Sequence, residues 1–425
     1  MDFVSNSEVQ IQEMLESMGI TSIEELFHSI PSSLFHSRLT CDDGLSEAEV
    51  LQWMENLGAK NSYSMFESYL GAGAYHHYVP ALVSAITSRS EFLTSYTPYQ
   101  AEISQGGLQA IFEFQSAYAA LTGLDASNAS VYDGASACAE AVLMALRLTK
   151  KRSIALSQGL HPLYRRVVEL YLEGLDVEIA PLSSSSACLL VQSPNFFGII
   201  EEMPTLALQA HEQGALFIAC GNPLSYGLLK CPGDYNADIA VGDCQPLGLP
   251  LSYGGPYAGY MTCKKDLIRQ LPGRIVGETI DSNGEKGYIL TLQAREQHIR
   301  REKATSNICT NQALAALSSL ITLLWYGPIG LKKLALTNYQ RAHYLSQELE
   351  KIPGFSIEHP FFNEFTLKVP CVAEEAEKHF RKAGIIPGLQ LKKFYPHLSH
   401  HLLVSVTELK TMEALKKFIS TAKEL

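Results

Sequence analysis

Three polar segments carry residues whose types and spacing suit chemistry. The first runs from Tyr96 to Gly107 and holds Tyr96, Tyr99, Gln100, Glu102, Ser104 and the pair Gly106-Gly107. It is too polar for a core and precedes a helical pattern. It reads either as a loop that brings hydroxyls to a site or as a capped loop whose rings pack. The second, Tyr132-Asp133-Gly134-Ala135-Ser136-Ala137, closes a strand pattern and opens a helix. A Gly and a small hydroxyl residue at a helix N-terminus can cup an anion, though an ordinary strand–helix turn has the same spelling. The third, Ala294–Gln312, sets Arg295, Arg300, Arg301 and Lys303 just before Thr305, Ser306 and Asn307. Most of these charges read as a solvated helix face. The small hydroxyls directly after them suit an anion. His76-His77 and His400-His401 lack the i,i+4 spacing of helical metal ligands, so no metal is expected.

The elements around these segments follow from hydrophobic rhythm. Short, near-continuous apolar runs indicate strands covered on both faces, as in a parallel sheet of βαβ units. They are Ser130–Tyr132, Ser153–Leu156, Val177–Pro181, Cys188–Gln192, Ala215–Ala219, Ile239–Gly242 and Tyr257–Cys263. Helical patterns at Leu108–Leu121, Cys138–Leu148 and Tyr164–Leu175 alternate with them. A longer helix near Asn311–Trp325 leads into a smaller module. Its parts are a strand pair around Phe355–Val369, a helix at Ala373–Lys382, a strand at Leu402–Val406 and a last helix. The N-terminus reads as short helices opened by capping boxes at Ser5/Glu8, Ser22/Glu25 and Ser46/Glu49. The expected layout is α/β: a helical arm over 1–65, a large α/β domain over 66–330 and a small C-terminal α/β domain over 331–425.

Composition excludes several classes. The 425 residues carry 33 Lys and Arg against 44 Asp and Glu, a net charge of −11, which argues against a nucleic-acid coat. No uninterrupted apolar run approaches the roughly 20 residues of a spanning helix, so no membrane partner is expected. The acidic N-terminal stretch lacks the cationic features of a secretory or transit peptide. The nine cysteines include no CxxC pair, which fits free thiols in a reducing cytosol. The expected location is cytoplasmic.

Five motifs in order, YTPYQAEISQGGLQ, YDGASACAEA, QPLGLPLSYGGPYAGY from Gln245, PGRIVGET from Pro272 and REQHIRREKATSNICTNQ, together resemble the glycine decarboxylase P-protein of the glycine cleavage system. The resemblance covers essentially the whole chain. It matches the N-terminal half of the one-chain form, that is, subunit 1 (alpha) of the two-gene form. It implies a fold-type I pyridoxal-phosphate-enzyme architecture of the aspartate aminotransferase type. It also implies an α2β2 assembly with a beta subunit, decarboxylation of glycine on pyridoxal phosphate, and transfer of the aminomethyl group to the lipoyl arm of H-protein.

In the catalytic half of that family a His-Lys pair precedes a Pro and a glycine-rich turn. Here Cys244-Gln245 stands in that place before Pro250 and Gly254-Gly255-Pro256, so Gln245 occupies the Schiff-base lysine position. Gln cannot form an imine. The carboxylate that should partner the pyridine nitrogen is expected at the end of Ala215–Ala219, where Cys220-Gly221-Asn222 stands. The chain is therefore expected to hold no covalent cofactor of its own and to contribute no catalytic lysine. The resemblance places Thr305 and Ser306 where a neighbouring subunit supplies hydroxyls to the phosphate of its partner's cofactor. It places Tyr96, Tyr99 and Gln100 at the glycine pocket, the lipoyl channel or the interface. Two alternatives stay open: an autonomous homodimeric pyridoxal-phosphate enzyme using Lys230, Lys264 or Lys265, and a non-catalytic scaffolding paralogue.

Overall fold

The computed structural model describes residues 5–34 and 44–425; Cys41 lies outside them. The chain divides into two compact units, Met1–Tyr63 and Ser64–Leu425. In the first, helix α1 (Glu8–Met18) is opened by a capping box, but the pair is Ser7 and Gln10 in place of Ser5 and Glu8. Ser7 stands directly before the first helical residue, and that is where a capping hydroxyl must sit. Helix α2 (Glu47–Gly58) keeps the expected Ser46/Glu49 box. At the third expected box, Ser22 makes no cap bond with its side chain; Glu25 accepts instead from the backbone and hydroxyl of Thr21. Helix α2 has no buried residue; Leu51, Trp53 and Met54 stand exposed along it.

The second unit is built on a seven-stranded sheet. Its strands are β1 (Ala126–Ser127), β2 (Ser153–Leu156), β3 (Glu178–Ile179), β4 (Ser186–Gln192), β5 (Leu216–Cys220), β6 (Ile239–Asp243) and β7 (Gly259–Cys263). The spatial order is β3-β2-β4-β5-β6-β7-β1. Neighbours are parallel from β3 through β6; β7 runs antiparallel to both β6 and β1. Six of the seven expected strands fall on these elements. The seventh, Ser130–Tyr132, is reduced to a single bridge from Val131 to Gly259, and the pairing strand lies a few residues earlier at β1. Ile154, Leu190, Ile218, Ile239 and Val241 are fully buried, as a two-sided sheet requires.

Two helices frame the future site. Helix α3 (Gln105–Thr122) follows the Tyr96–Gly107 segment, and helix α4 (Gly134–Thr149) follows the Asp133 cap, whose carboxylate accepts from the Ser136 N–H. A 37-residue helix, α5 (Ala313–Leu349), then runs from the large sheet to a four-stranded antiparallel sheet. It is far longer than the 311–325 pattern and breaks its helical φ/ψ at Gly327, next to Pro328. Among the described residues α5 is the one helix long and apolar enough to cross a membrane. Its buried face is occupied by protein: Leu320, Leu331, Ala342 and Leu345 sit in three core clusters, and Ser319 meets the Tyr118 hydroxyl at 2.6 Å.

The small sheet consists of Ser356–Ile357, Glu364–Lys368, His401–Ser405 and Leu389–Gln390, in that spatial order. Helices Ala373–Lys382 and Met412–Lys423 cover it through Phe380, Leu415 and Phe418. Several elements escaped the sequence reading: Ile275–Ile280 and Lys286–Thr291 form a separate antiparallel hairpin, Glu67–Ser68 pairs in parallel with Ile385–Ile386, and helices Ala81–Thr87 and Met203–Glu212 lie outside the expected patterns.

Glu408 ties the segment leading into this body to the long helix. Its carboxylate accepts from His77 Nδ1 at 2.8 Å, Tyr78 N–H at 2.6 Å and Asn338 Nδ2 at 3.0 Å. Desolvation pulls its pKa up, but the His77, Tyr78 and Asn338 bonds outweigh this and hold the carboxyl at about 2. A pKa depressed below the unfolded value of about 4.3 gives stability that is present above it and lost as pH falls towards 2. Glu408→Gln should therefore melt lower than wild type at pH 7, by about 2 kcal/mol of stability. It should lose less on acidification from pH 5 to pH 3; equal slopes in thermal unfolding would count against this account.

Candidate functional site

Gln245 follows the end of β6 and is fully buried. Its Oε1 accepts the Tyr75 N–H at 2.8 Å, while Nε2 donates to the Tyr75 carbonyl at 2.8 Å and the Leu249 carbonyl at 3.0 Å. Its backbone N–H donates to Asp243 Oδ1 at 2.9 Å. The amide thus uses donor and acceptor faces together, as a clamp between two loops would.

Beside it lies a cavity of 40 Å³ among Tyr75, Tyr164, Cys220, Asn222, Asp243 and Glu364. Ligand pockets for small molecules begin at about 300 Å³, so this volume suits a few waters. No lysine lines it. Lys264 instead pairs with Asp238 at 2.6 Å, and Lys230 and Lys265 are exposed. The residues here do not fit pyridoxal phosphate: the space is too small and the amine is missing.

Sequence reasoning expected the end of β5 to lack a carboxylate, and Cys220 stands there, its sulfur 3.6 Å from that of Cys138. It missed two carboxylates that reach the same cavity from elsewhere. Asp243 accepts the Gly134 N–H through Oδ2 at 2.9 Å. A Cβ at Gly134 would meet the Tyr164 hydroxyl at 2.6 Å and Asp243 Cβ at 3.0 Å, so only glycine permits this approach. Glu364, from the small sheet, accepts the Ala72 N–H at 2.6 Å and the Tyr75 hydroxyl at 2.9 Å. Burial pushes each carboxyl up to about 7, against the pull of these same backbone donors. The signal for both residues was long-range, since Glu364 lies 289 positions from Tyr75.

The segment after the hairpin forms a second, open site. Thr305 lines a cavity of 280 Å³ with Arg269, Arg295, Arg300 and Lys303. No carboxylate lines it. Like charges gathered without a counter-charge raise one another's energy, and an anion relieves this. Arg295 is positioned by its guanidinium, which donates to the Leu271 carbonyl and, at 2.8 Å, to the Gly273 carbonyl. The Arg295 carbonyl in turn accepts the Thr305 N–H at 2.9 Å. Ser306 is not among the residues lining that cavity. Its Oγ accepts the Ile308 N–H at 3.1 Å, and Ser306 is one of the groups that pull down the pKa of buried Glu140 on α4.

Of the three residues expected in the other motif, Tyr99 is the one tied to this region. Its hydroxyl accepts from Arg274 Nη2 at 3.1 Å, and its ring meets that of His298 edge-on at 5.5 Å. Tyr96 is 88% exposed and lines a separate apolar cavity of 290 Å³ with Phe92, Ile103, Ile111, Phe114 and Leu314. Gln100 is exposed at the start of a short 3-10 turn. Among the described residues no group of His, Cys, Asp or Glu could hold a metal ion.

A large sheet with one antiparallel strand near its edge, a long helix to a small antiparallel sheet, and polar loops before α3 and α5 define the fold-type I class of pyridoxal-phosphate enzymes. Solved structures of that fold superpose on the chain at low identity. A Burkholderia pseudomallei sphingosine-1-phosphate lyase gives a TM-score of 0.64 at 15% identity over 92% of this chain and 93% of that one. A Lactobacillus brevis glutamate decarboxylase gives 0.65 at 12% over 95% and 96%.

Within the class, the chain belongs to the glycine cleavage system P-protein family, whose model matches residues 1–422. A crystal structure of glycine decarboxylase (P-protein) in inhibitor-bound form is 42% identical, with a TM-score of 0.92 and full coverage of both chains. The Protochlamydia amoebophila protein named glycine dehydrogenase (decarboxylating) subunit 1 is 56% identical over 100% of both chains. Its Desulfitobacterium hafniense namesake is 47% identical, again over 100% of each.

Two outcomes follow from the buried site. Gln245→Lys removes the acceptor for Tyr75 N–H and buries an ammonium, so stability should drop by about 2–4 kcal/mol. A chemical-denaturation midpoint within error of wild type would refute the clamp. The second concerns pH. A carboxyl whose folded pKa of about 7 exceeds its unfolded value of about 4.3 contributes most below 4.3 and progressively less as pH rises to 7. Unfolding stability should therefore fall from pH 5.5 to pH 8, and Glu364→Gln, which is neutral throughout, should flatten that decline in melting curves.

Proposed function

We propose that this chain is the lysine-less alpha subunit of a cytoplasmic α2β2 glycine dehydrogenase (decarboxylating). Its beta partner would bind pyridoxal phosphate covalently, and lipoylated H-protein would accept the aminomethyl group. The observation that carries this reading is Gln245, whose amide is committed to Tyr75 and Leu249 in a site too small for the cofactor. A chain of this family that cannot hold the cofactor has its use in completing a neighbour's site. The names of relatives that match it over their full length point the same way.

When bound in the partner, pyridoxal phosphate supplies the electron sink for loss of carbon dioxide from glycine. This chain's residues would bind and orient. Thr305, with Arg300 and Lys303, suits the cofactor phosphate, because charge-assisted bonds to a dianion are among the strongest a side chain makes. Ser306 would steady that loop through Glu140. Tyr99 would present its hydroxyl towards glycine or the lipoyl arm, and Tyr96 and Gln100 would line the approach from the subunit interface.

The test is reconstitution. The chain purified alone, mixed with pyridoxal phosphate, reduced with borohydride and digested, should yield no phosphopyridoxyl-lysine peptide. Glycine–bicarbonate exchange should require the lysine-bearing subunit and H-protein. Thr305→Ala combined with Lys303→Ala should weaken cofactor retention in the complex by about tenfold or more, since bonds to a charged group contribute about 1.5–3 kcal/mol each. A stoichiometric modified lysine in the lone chain would overturn the proposal.

A further inference from the structure

Arg274 is 4% exposed, yet it links its own motif to two others. It sits in the PGRIVGET motif, immediately before the hairpin strand Ile275–Ile280. One guanidinium nitrogen donates to the Tyr99 hydroxyl at 3.1 Å and to the Cys309 carbonyl at 2.6 Å. The other reaches Asn311 Oδ1 at 3.5 Å. The guanidinium also lies 5.3 Å from the centre of the Tyr99 ring, and Nε stands 4.0 Å from Glu296 Oε2. Asn311 carries the linkage onward, donating to the Ala129 carbonyl at 2.9 Å beside the turn that leads into α4.

An unmade buried hydrogen bond costs about 1–3 kcal/mol. Arg274 Nε and Glu296 Oε1 are both buried without a hydrogen-bond partner, as are the Nε atoms of Arg147 and Arg295, so what sets Arg274 apart is the set of bonds it does make. The fork binds Tyr99 and Cys309 through one nitrogen and reaches Asn311 through the other, a span that a single ammonium nitrogen does not reproduce.

We infer that Arg274 is a positioning residue that sets Tyr99 and the 296–311 segment in fixed register, and through them orients what this chain presents to its partner's site. The inference rests on the proposed function for its catalytic consequence, but not for its geometry. In the reconstituted complex, Arg274→Lys should lower exchange turnover about tenfold or more, with a smaller change in the KM for glycine. Tyr99→Phe should also lower turnover. The double variant should be no worse than the poorer single one, because Arg274 acts through that hydroxyl. Millimolar guanidinium should partly restore Arg274→Ala, and urea at the same concentration should not.

Additive losses in the double variant, or full turnover in Arg274→Lys beside an impaired Tyr99→Phe, would overturn the inference while leaving the proposed function standing. If Tyr99→Phe and Thr305→Ala both leave exchange untouched, the proposed function loses its site. The positioning claim is then decided by hydrogen–deuterium exchange on the complex. Arg274→Lys should raise uptake in 94–104 and 296–311 together, and unchanged uptake in either segment would refute it.

Discussion

The carboxamide of Gln245 is the constraint on which the body of this protein depends. Only an amide can accept from one backbone group and donate to two others from a single position, and Gln245 does so to Tyr75 and Leu249. Tyr75 then passes the linkage to Glu364, so one chain of bonds joins the loop after β6, the segment entering the large unit and the small sheet. A lysine in that place would supply an amine for chemistry and forfeit the acceptor. A lysine cannot be placed there by one substitution without loosening the joint between these parts.

The two carboxylates in the small cavity extend this logic. Each is buried and each is bound by backbone donors, Asp243 by Gly134 and Gln245, Glu364 by Ala72. In an open active site such groups would face a ligand. Here their lone pairs are spent on backbone N–H groups that need partners. These polar residues serve as the hydrogen-bonding of the interior, around a space of 40 Å³. Exposed cationic polarity lies elsewhere, in the cavity around Thr305.

Much of this was legible in the sequence because buried parallel strands are written as local apolar runs. Ser153–Leu156 and the helix Ala373–Lys382 lie on the residues their patterns indicate. The hairpin was not, since its strands carry exposed polar residues such as Glu278 and Lys286 and show no sustained apolar alternation. The length of α5 was not legible from its pattern, because Gly327 and Pro328 interrupt it and act as a break in φ/ψ within one continuing element. Gln245 could be singled out by motif position, but its bonding could not, because Tyr75 lies 170 residues away. Arg274 gave no signal either. A lone arginine before a strand looks like any surface cation until the fold buries it.

Thr305 and Ser306 show how finely such a site is decided. The two hydroxyls are adjacent and chemically alike, and the sequence gives no reason to separate them. The backbone does: the Thr305 N–H is bound by the Arg295 carbonyl, which sets that residue on the wall of the cationic cavity. One step on, Ser306 turns to Ile308 and Glu140. Glu140 is buried with one carboxylate oxygen unpartnered, and burial raises its pKa while Ser306 and Arg147 pull it down. A buried acid of this kind needs every donor it can find, so Ser306 is more valuable to the interior than to a ligand. Side chains next to each other in sequence are thus divided between the interior and the wall of the cationic cavity. The anchored one makes the exposed one's position reproducible.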